Sequence, residues 1–415
     1  MATTSIASTE ALPAPRHDAP PVPVPADEDD ALRLARRIAA RVRPGAAERD
    51  RTGEVAWDEI ENLRDSGLLT ISVPRRDGGP GASHRTVARV VAILAAADPA
   101  FVQVVQPHIS FVDNAARYGD DGQRSLLLGE VLRGARFGNA LSERGRKTAF
   151  DFVTRLATRA DGGLELNGAK YYSTGALRAD WVAVVALDEG DGLVTVFVPS
   201  TAPGITVGQD WSAFGQRTTL SGTTTLDAVA VRPEWVIRYP LEDDGIPTTL
   251  GAYPQLLHAA IDVGIARGAL DDGVAFTRQH ARPWAPAGVD HAVDEPHVQA
   301  LFGRLATLVE AAELSLDHAA DLLDAERRSR TLETVGDARL AVGRAKALAG
   351  EVVLEVTMSI FDGSGSTGVD EKHGLDRHWR NARAHTLHDP NRWKYIHEGR
   401  RLLRDEYPSA TDHSI

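Results

Sequence analysis

WVAVVALDEGDGLVTVFV, Trp181 to Val198, decides how the rest of the chain is read. Trp181–Leu187 is an apolar run rich in valine and reads as a buried strand. Glu189-Gly190-Asp191-Gly192 has turn chemistry, and Leu193–Val198 supplies the returning strand. Upstream, Thr154–Thr158, Asp161-Gly162-Gly163 and Leu164–Leu166 repeat the strand, turn, strand pattern. Downstream, Thr223–Leu226 and Val229–Val231 read as two more short strands. Links of hairpin length predict an antiparallel β domain rather than a βαβ array.

On either side the period is helical. Before the strands, Leu34, Ile38 and Val42 fall four apart ahead of Pro44, and Trp57, Ile60 and Leu63 line a second face that Gly67 can close. Ser83 is placed to cap a third helix carrying Val87, Val90, Val91 and Leu94 and stopping near Asp98-Pro99. A fourth apolar stretch, Phe101 to Val112, contains His108. After the strands, Ile261, Ile265 and Leu270 mark one long run, Leu301, Leu305, Leu308 and Leu314 another, and Ala338–Ile360 a third. Long runs with short breaks predict an antiparallel four-helix bundle. The chain is therefore expected to be α+β: a Pro/Ala-rich, disordered or loosely extended leader over 1–29, an N-terminal helical domain over 30–137, a central β-barrel domain over 138–240, and a C-terminal helical bundle over 241–415.

Composition narrows the function. The net charge is −12, and the first 30 residues hold six acids against Arg16 alone. That balance leaves no basic footprint for nucleic acid and no polybasic membrane anchor. No apolar run approaches the ~20 residues that span a bilayer. There are 0 cysteines, which excludes disulfides and thiolate metal sites and fits a reducing, cytoplasmic location.

The chemistry concentrates near the C-terminus, in NARAHTLHDPNRWKY (Asn381–Tyr395). His385 and His388 share a helical face, and Pro390 sets Asp389 at a helix end. Two imidazoles and a carboxylate there could bind a metal, move protons or face water. Gly363-Ser-Gly365-Ser-Thr-Gly368 matches a dinucleotide fingerprint but lacks the amphipathic helix that should follow it. In the β region, Asn139 with Ser142-Glu143, Tyr172-Ser173-Thr174-Gly175, and Trp211 with Phe214-Gly215-Gln216-Arg217 and Ser221-Gly222 bring aromatic, glycine and hydroxyl residues together. Such a set suits a planar ring. Arg278 and Arg282 could meet a phosphate.

The order of these parts resembles the acyl-CoA dehydrogenase superfamily. GNALSER, NGAKYYSTGA, DWSAFGQRTTLSGT, HAAIDVGIARGAL, TRQHARPW and LDRHWRNARAHTLHDPNRWKY sharpen this. They resemble its flavin-dependent monooxygenase branch, the dibenzothiophene monooxygenases and, more closely, the sulfur acquisition oxidoreductases. The resemblance extends over nearly all the chain from about residue 30.

The resemblance implies a two-component monooxygenase. Reduced FMN would come from a separate NAD(P)H:flavin reductase, and O2 would add to give a C4a-hydroperoxyflavin that oxygenates a small organosulfur compound (sulfide, sulfoxide or sulfone). The enzyme would be a homotetramer. Asn139, Ser142, Thr174, Trp211 and Ser221 would line the flavin, and Arg282 would meet its phosphate from a neighbouring subunit. The phosphate-binding arginine of the family falls here on Thr367, a departure. Where acyl-CoA dehydrogenases place a catalytic glutamate, this chain has His388-Asp389-Pro390. His388 would donate a proton or hydrogen bond to the oxygen adduct, with His385 holding its tautomer, His108 as a second pocket histidine (or a core histidine), and Thr174 donating near flavin N5. Tyr172, Phe111 and Phe214 would wall the substrate pocket, and no metal is expected. The competing readings are an FAD-dependent dehydrogenase with Asp389 as a shortened base, an N-hydroxylase of amines, and a non-catalytic helical scaffold.

Overall fold

The computed structural model describes residues 15–148, 151–239 and 246–409. The N-terminal block holds α1 (Glu28–Val42), α2 (Ala46–Thr52), α3 (Trp57–Asp65), α4 (His84–Ala97), α5 (Pro99–Tyr118) and α6 (Asp121–Leu132). Local chemistry sets several of the ends. Ser83 caps α4 by accepting from Thr86 N–H, and Asp98 caps α5 by accepting from Ala100 and Phe101. The leader from residue 15 to 27 has no helix or strand. Arg16 N–H donates to Glu130, its guanidinium pairs with Asp180, and Val22 N–H donates to Leu132. Residues 1–14 lie outside the described residues.

The middle block holds β1 (Phe137–Ala140), β2 (Arg155–Thr158), β3 (Leu164–Lys170), β4 (Trp181–Leu187), β5 (Leu193–Pro199), β6 (Ile205–Val207), β7 (Thr224–Val231) and β8 (Val236–Arg238). The hairpin that decides the fold forms as read: β4 and β5 pair antiparallel from Trp181↔Pro199 to Leu187↔Leu193. Three expectations need correction. The sheet is mixed, because β1 runs parallel to β4 over four residue pairs and β2 touches β4 in parallel at Arg155↔Leu187. Its strands follow the open path β6-β7-β3-β2-β4-β5-β8, with β1 on β4, so hydrogen bonding among the described residues closes no barrel. The two short strands expected at 223–231 are one strand, β7. Its register against β3 shifts between Leu166 and Gly168, and Ala228 sits at φ 49°. That bulge broke the alternation.

The C-terminal block holds three long helices, α7 (Ala252–His280), α8 (Pro296–Arg328) and α9 (Leu332–Ser364), then the shorter α10 (Asp376–His385) and α11 (Arg392–Arg404). Because α9 is helical to Ser364, the Gly363–Gly368 stretch follows a helix and not a strand, which removes the dinucleotide reading.

Two apolar cores share one helix. Phe101, Val102, Val104, Val105 and Ile109 of α5 belong to the core built with α1, α4, α7, α8 and α9. Phe111, Val112, Ala115 and Ala116 of the same helix belong to the core of the sheet and α6. All residues of α5 from Pro99 to Ala116 are buried. On α7, glycine permits a close helix contact: a β-carbon on Gly264 would lie 2.5 Å from the carbonyl oxygen of Ala92 on α4. Gly264→Ala gains about 1 kcal/mol of helix propensity but forces backbone against backbone, at about 1–3 kcal/mol. The variant is expected to melt below the parent in thermal unfolding; a higher midpoint would show that α4 and α7 have room to spare.

Candidate active site

The first of the two histidines singled out in the sequence lies inside the protein. His385, at the end of α10, is buried, and its Nδ1 is 2.6 Å from Asp262 Oδ1 on α7. Asp262 Oδ2 accepts from Lys346 Nζ on α9 at 2.6 Å, and both of those side chains are 0% exposed. The other nitrogen of His385, Nε2, is 3.0 Å from Nδ1 of His258, one turn before Asp262 on α7. His258 in turn lies under His388, ring centroids 3.8 Å apart and planes 32° from parallel. The side chain of His388 is 48% exposed. The arrangement is thus a line of groups from a sealed ion pair to a half-open imidazole. With both ring nitrogens hydrogen-bonded, His385 has none left for a metal.

Electrostatics follow from this burial. Desolvation, with the neighbouring positive groups His388, His385, Lys346 and Lys394, holds His258 well below the ordinary imidazole range. Desolvation also lowers His385 against the pull of Asp262. Burial alone would raise Asp262, but the charge of Lys346 and the His385 contact bring it below the usual carboxylate range.

A second cluster comes from the sheet. Thr174 Oγ1 and Ser221 Oγ are 2.8 Å apart, and Thr219 Oγ1 is 2.8 Å from Ser221. Tyr172 and Trp211 meet edge to face at 5.8 Å, and Trp211 Nε1 donates to Gln216 O. Tyr172 and Phe214 are 51% and 50% exposed, and Phe214 stacks on Trp379 of α10 at 6.2 Å. Gln216 N–H donates to Asn381 Oδ1 at 2.5 Å, one turn before His385 on α10. Gly215 lies so close to Arg380 O that a β-carbon would overlap it. The hydroxyl loop and the imidazole line are therefore held on the same short helix.

Other expected residues lie elsewhere. His108 is in the core: Nδ1 accepts from Phe137 N–H and Nε2 donates to Leu69 O, both at 3.0 Å. A backbone N–H can only donate, so the ring is neutral with its hydrogen on Nε2; burial lowers it to about 4. That removes His108 from the proton-transferring set. Phe111 packs edge-on against Phe197 in the sheet core and walls no pocket. Asp389 is paired with Lys394, whose Nζ lies 2.6 Å from its Oδ2, while its buried Oδ1 has no hydrogen-bond partner among the described residues. Burial would raise this carboxyl, but the His388 ring and the Lys394 charge hold it well below its ordinary range. Asn139 Nδ2 donates to Tyr172 O, and Ser142 O accepts from Tyr171 N–H, so both shape the loop that carries Tyr172. Arg282 and Thr367 are exposed beyond the far ends of α7 and α9. Helical rise puts Arg282 about 35 Å from His258, too far to share one small cofactor with it.

His258, Asp262, Lys346 and Trp379 were not singled out as site residues in the sequence. One signal was there for the first two: a histidine and an aspartate four apart on an otherwise apolar helix. A cavity of about 730 Å³ lies on another face of α7, among α1, α4 and α8, and includes none of the imidazoles.

Residues 26–135 match the acyl-CoA dehydrogenase N-terminal domain, 139–229 the middle domain and 256–393 the C-terminal domain. Dibenzothiophene monooxygenase of Mycolicibacterium goodii is 35% identical over 394 residues, covering 91% of this chain and 95% of the relative. The probable FMNH2-dependent monooxygenase SfnC of Pseudomonas putida is 31% identical over 403 residues, covering 94% and 99%. The FMN-bound crystal structure of TdsC from Paenibacillus sp. A11-2 superposes with a TM-score of 0.88 at 30% identity, covering 92% of this chain and 100% of that one. The chain belongs to the acyl-CoA dehydrogenase superfamily, among relatives that are FMNH2-dependent monooxygenases.

Buried neutral histidines make stability depend on pH. His108 and His378 are both held near 4 by burial, against 6.5 when free. As pH falls below 6.5 the unfolded chain takes up protons that the folded chain refuses, so stability drops until about pH 4. From pH 7.5 to 5.5 His108 alone should cost about 1 kcal/mol. The midpoint of urea unfolding should move down over that interval; a flat midpoint would mean that these rings protonate in place.

Proposed function

We propose that the protein is a reduced-FMN-dependent monooxygenase that oxygenates a small organosulfur compound. The observation that carries the reading is the half-exposed His388 ring lying on a buried imidazole, beside a carboxylate that Lys394 has already neutralised. The position offers a half-exposed imidazole for proton donation and a buried carboxylate whose charge Lys394 compensates, which speaks against a dehydrogenase.

The residues present fit a flavin. Three hydroxyls, Thr174, Thr219 and Ser221, stand together beside Trp211. The buried side-chain amide of Gln216 has both its oxygen and its nitrogen unpaired, a donor and acceptor edge of the kind an isoalloxazine ring matches. Thr174 and Ser221 would meet the ring edge, and Trp211 would flank it. Arg282, remote from its own subunit's imidazoles, would serve the phosphate in a neighbouring subunit of a homotetramer, with Thr367 at the same end of the bundle.

Reduced FMN, when bound, supplies the electrons that let O2 give one oxygen atom to sulfur and the other to water. His388 would hold the proton needed as oxygen is transferred. Tyr172, Phe214 and Trp379 form an aromatic lip that limits water and favours an apolar substrate. Sulfur is the preferred acceptor because the relatives named above include dibenzothiophene monooxygenase. The reduced flavin would diffuse in from an NAD(P)H-dependent reductase.

His388→Ala is expected to keep its fold and flavin binding while coupling falls. With a reductase, FMN and a sulfide, the ratio of oxygenated product to hydrogen peroxide should drop at least about tenfold. Unchanged coupling would remove His388 from the reaction. In the parent protein, bleaching of bound FAD by an acyl-CoA thioester would establish the dehydrogenase instead.

A further inference from the structure

The proposed reaction uses one imidazole of the line, His388. Four buried groups stand behind it and touch neither the hydroxyl cluster nor the aromatic lip: His258, His385, Asp262 and Lys346. Their hydrogen bonds run from Lys346 Nζ through both oxygens of Asp262 and both nitrogens of His385 to His258 Nδ1.

Each link fixes the next. A carboxylate oxygen only accepts, so Nδ1 of His385 carries its hydrogen. The charge of Lys346 offsets that of Asp262, and burial disfavours a second proton on His385. Nε2 of a neutral His385 is bare and must accept, so Nδ1 of His258 must donate. Both rings are then locked in the Nδ1–H form, and His258 turns an uncharged face to His388.

We infer that His258 is the positioning residue for His388, held neutral in its Nδ1–H tautomer by the Lys346–Asp262–His385 chain. The charged and titratable groups facing it are His385 at the end of α10, His388 and Asp389 just beyond it, Lys346 on α9, Lys394 on α11 and Asp262 on its own helix. At a ring separation of 3.8 Å a charged His258 would repel a protonated His388, whereas a neutral ring face attracts it. His388 can thus gain and lose a proton without leaving its place. This inference rests on the role proposed above for His388.

The test uses the flavin-free protein, so it does not depend on turnover. With 15N-labelled histidine, two-dimensional NMR distinguishes Nδ1–H, Nε2–H and doubly protonated rings. The parent should show His258 and His385 both as Nδ1–H and both still neutral at pH 5.5. His258 as Nε2–H, or doubly protonated at pH 5.5, would overturn the inference. Lys346→Met keeps the side-chain length and removes the compensating charge. Where Asp262 then draws a second proton onto His385, or takes one on Oδ1, Nε2 of His385 becomes a donor and His258 turns to Nε2–H. A turn of His258 to Nε2–H in Lys346→Met supports the chain, and the parent spectrum decides the tautomer on its own. In turnover, His258→Ala should lower kcat and coupling about tenfold with KM for the sulfide unchanged. A normal kcat would end the positioning role. A parent that oxygenates no sulfur compound but shows the expected tautomers would overturn the functional reading and leave the chain standing.

Discussion

Everything at the candidate site depends on a lysine and an aspartate sealed in the middle of a helical bundle. Lys346 and Asp262 lie 2.6 Å apart with no exposure. Removing two charges from water costs several kcal/mol each even after relaxation, and their mutual attraction seldom returns more than that. A leucine and a methionine would hold α7 to α9 at least as well. The pair is therefore a poor device for stability and a good one for orientation. It gives His385 a fixed acceptor without giving it a net negative neighbour. The buried imidazoles behind His388 follow from that acceptor.

The sheet is brought to this line by a close backbone approach and by hydrogen bonds from α10, among them that of the Arg380 guanidinium to Phe214 O. Gly215 packs against the carbonyl of Arg380, and Gln216 donates to Asn381 on the same helix. A side chain at position 215 would push the loop off α10, and the hydroxyls of Thr174, Thr219 and Ser221 would move with it. The motif DWSAFGQRTTLSGT thus reads in physical terms: an aromatic ring, a glycine that lets two backbones meet, and hydroxyls set by that meeting.

The fold was legible wherever a local rule acted alone. The β4–β5 hairpin, the Ser83 cap and the Asp98-Pro99 break each depend on neighbouring residues, and each is where the sequence places it. Strands β1, β6 and β8 have three or four residues each, too few for a visible period, and the bulge at Ala228 made one strand look like two. The site was legible only at its surface. His385 and His388 stood out because they are close in sequence. The partners of His385 are 123 and 127 residues away on α7, where His388 also finds its stacking partner His258, and no pattern in one segment reports a contact in another. His108 shows the opposite limit. A histidine among apolar residues looks the same whether it faces a pocket or two backbone groups, and here Phe137 and Leu69 take both nitrogens.

Helix α5 belongs to both cores at once, its first half packed among helices and its second half against the sheet. A beam shared by two rooms prevents either from swinging away. Any swing of the front domain against the sheet would have to open one of those two cores.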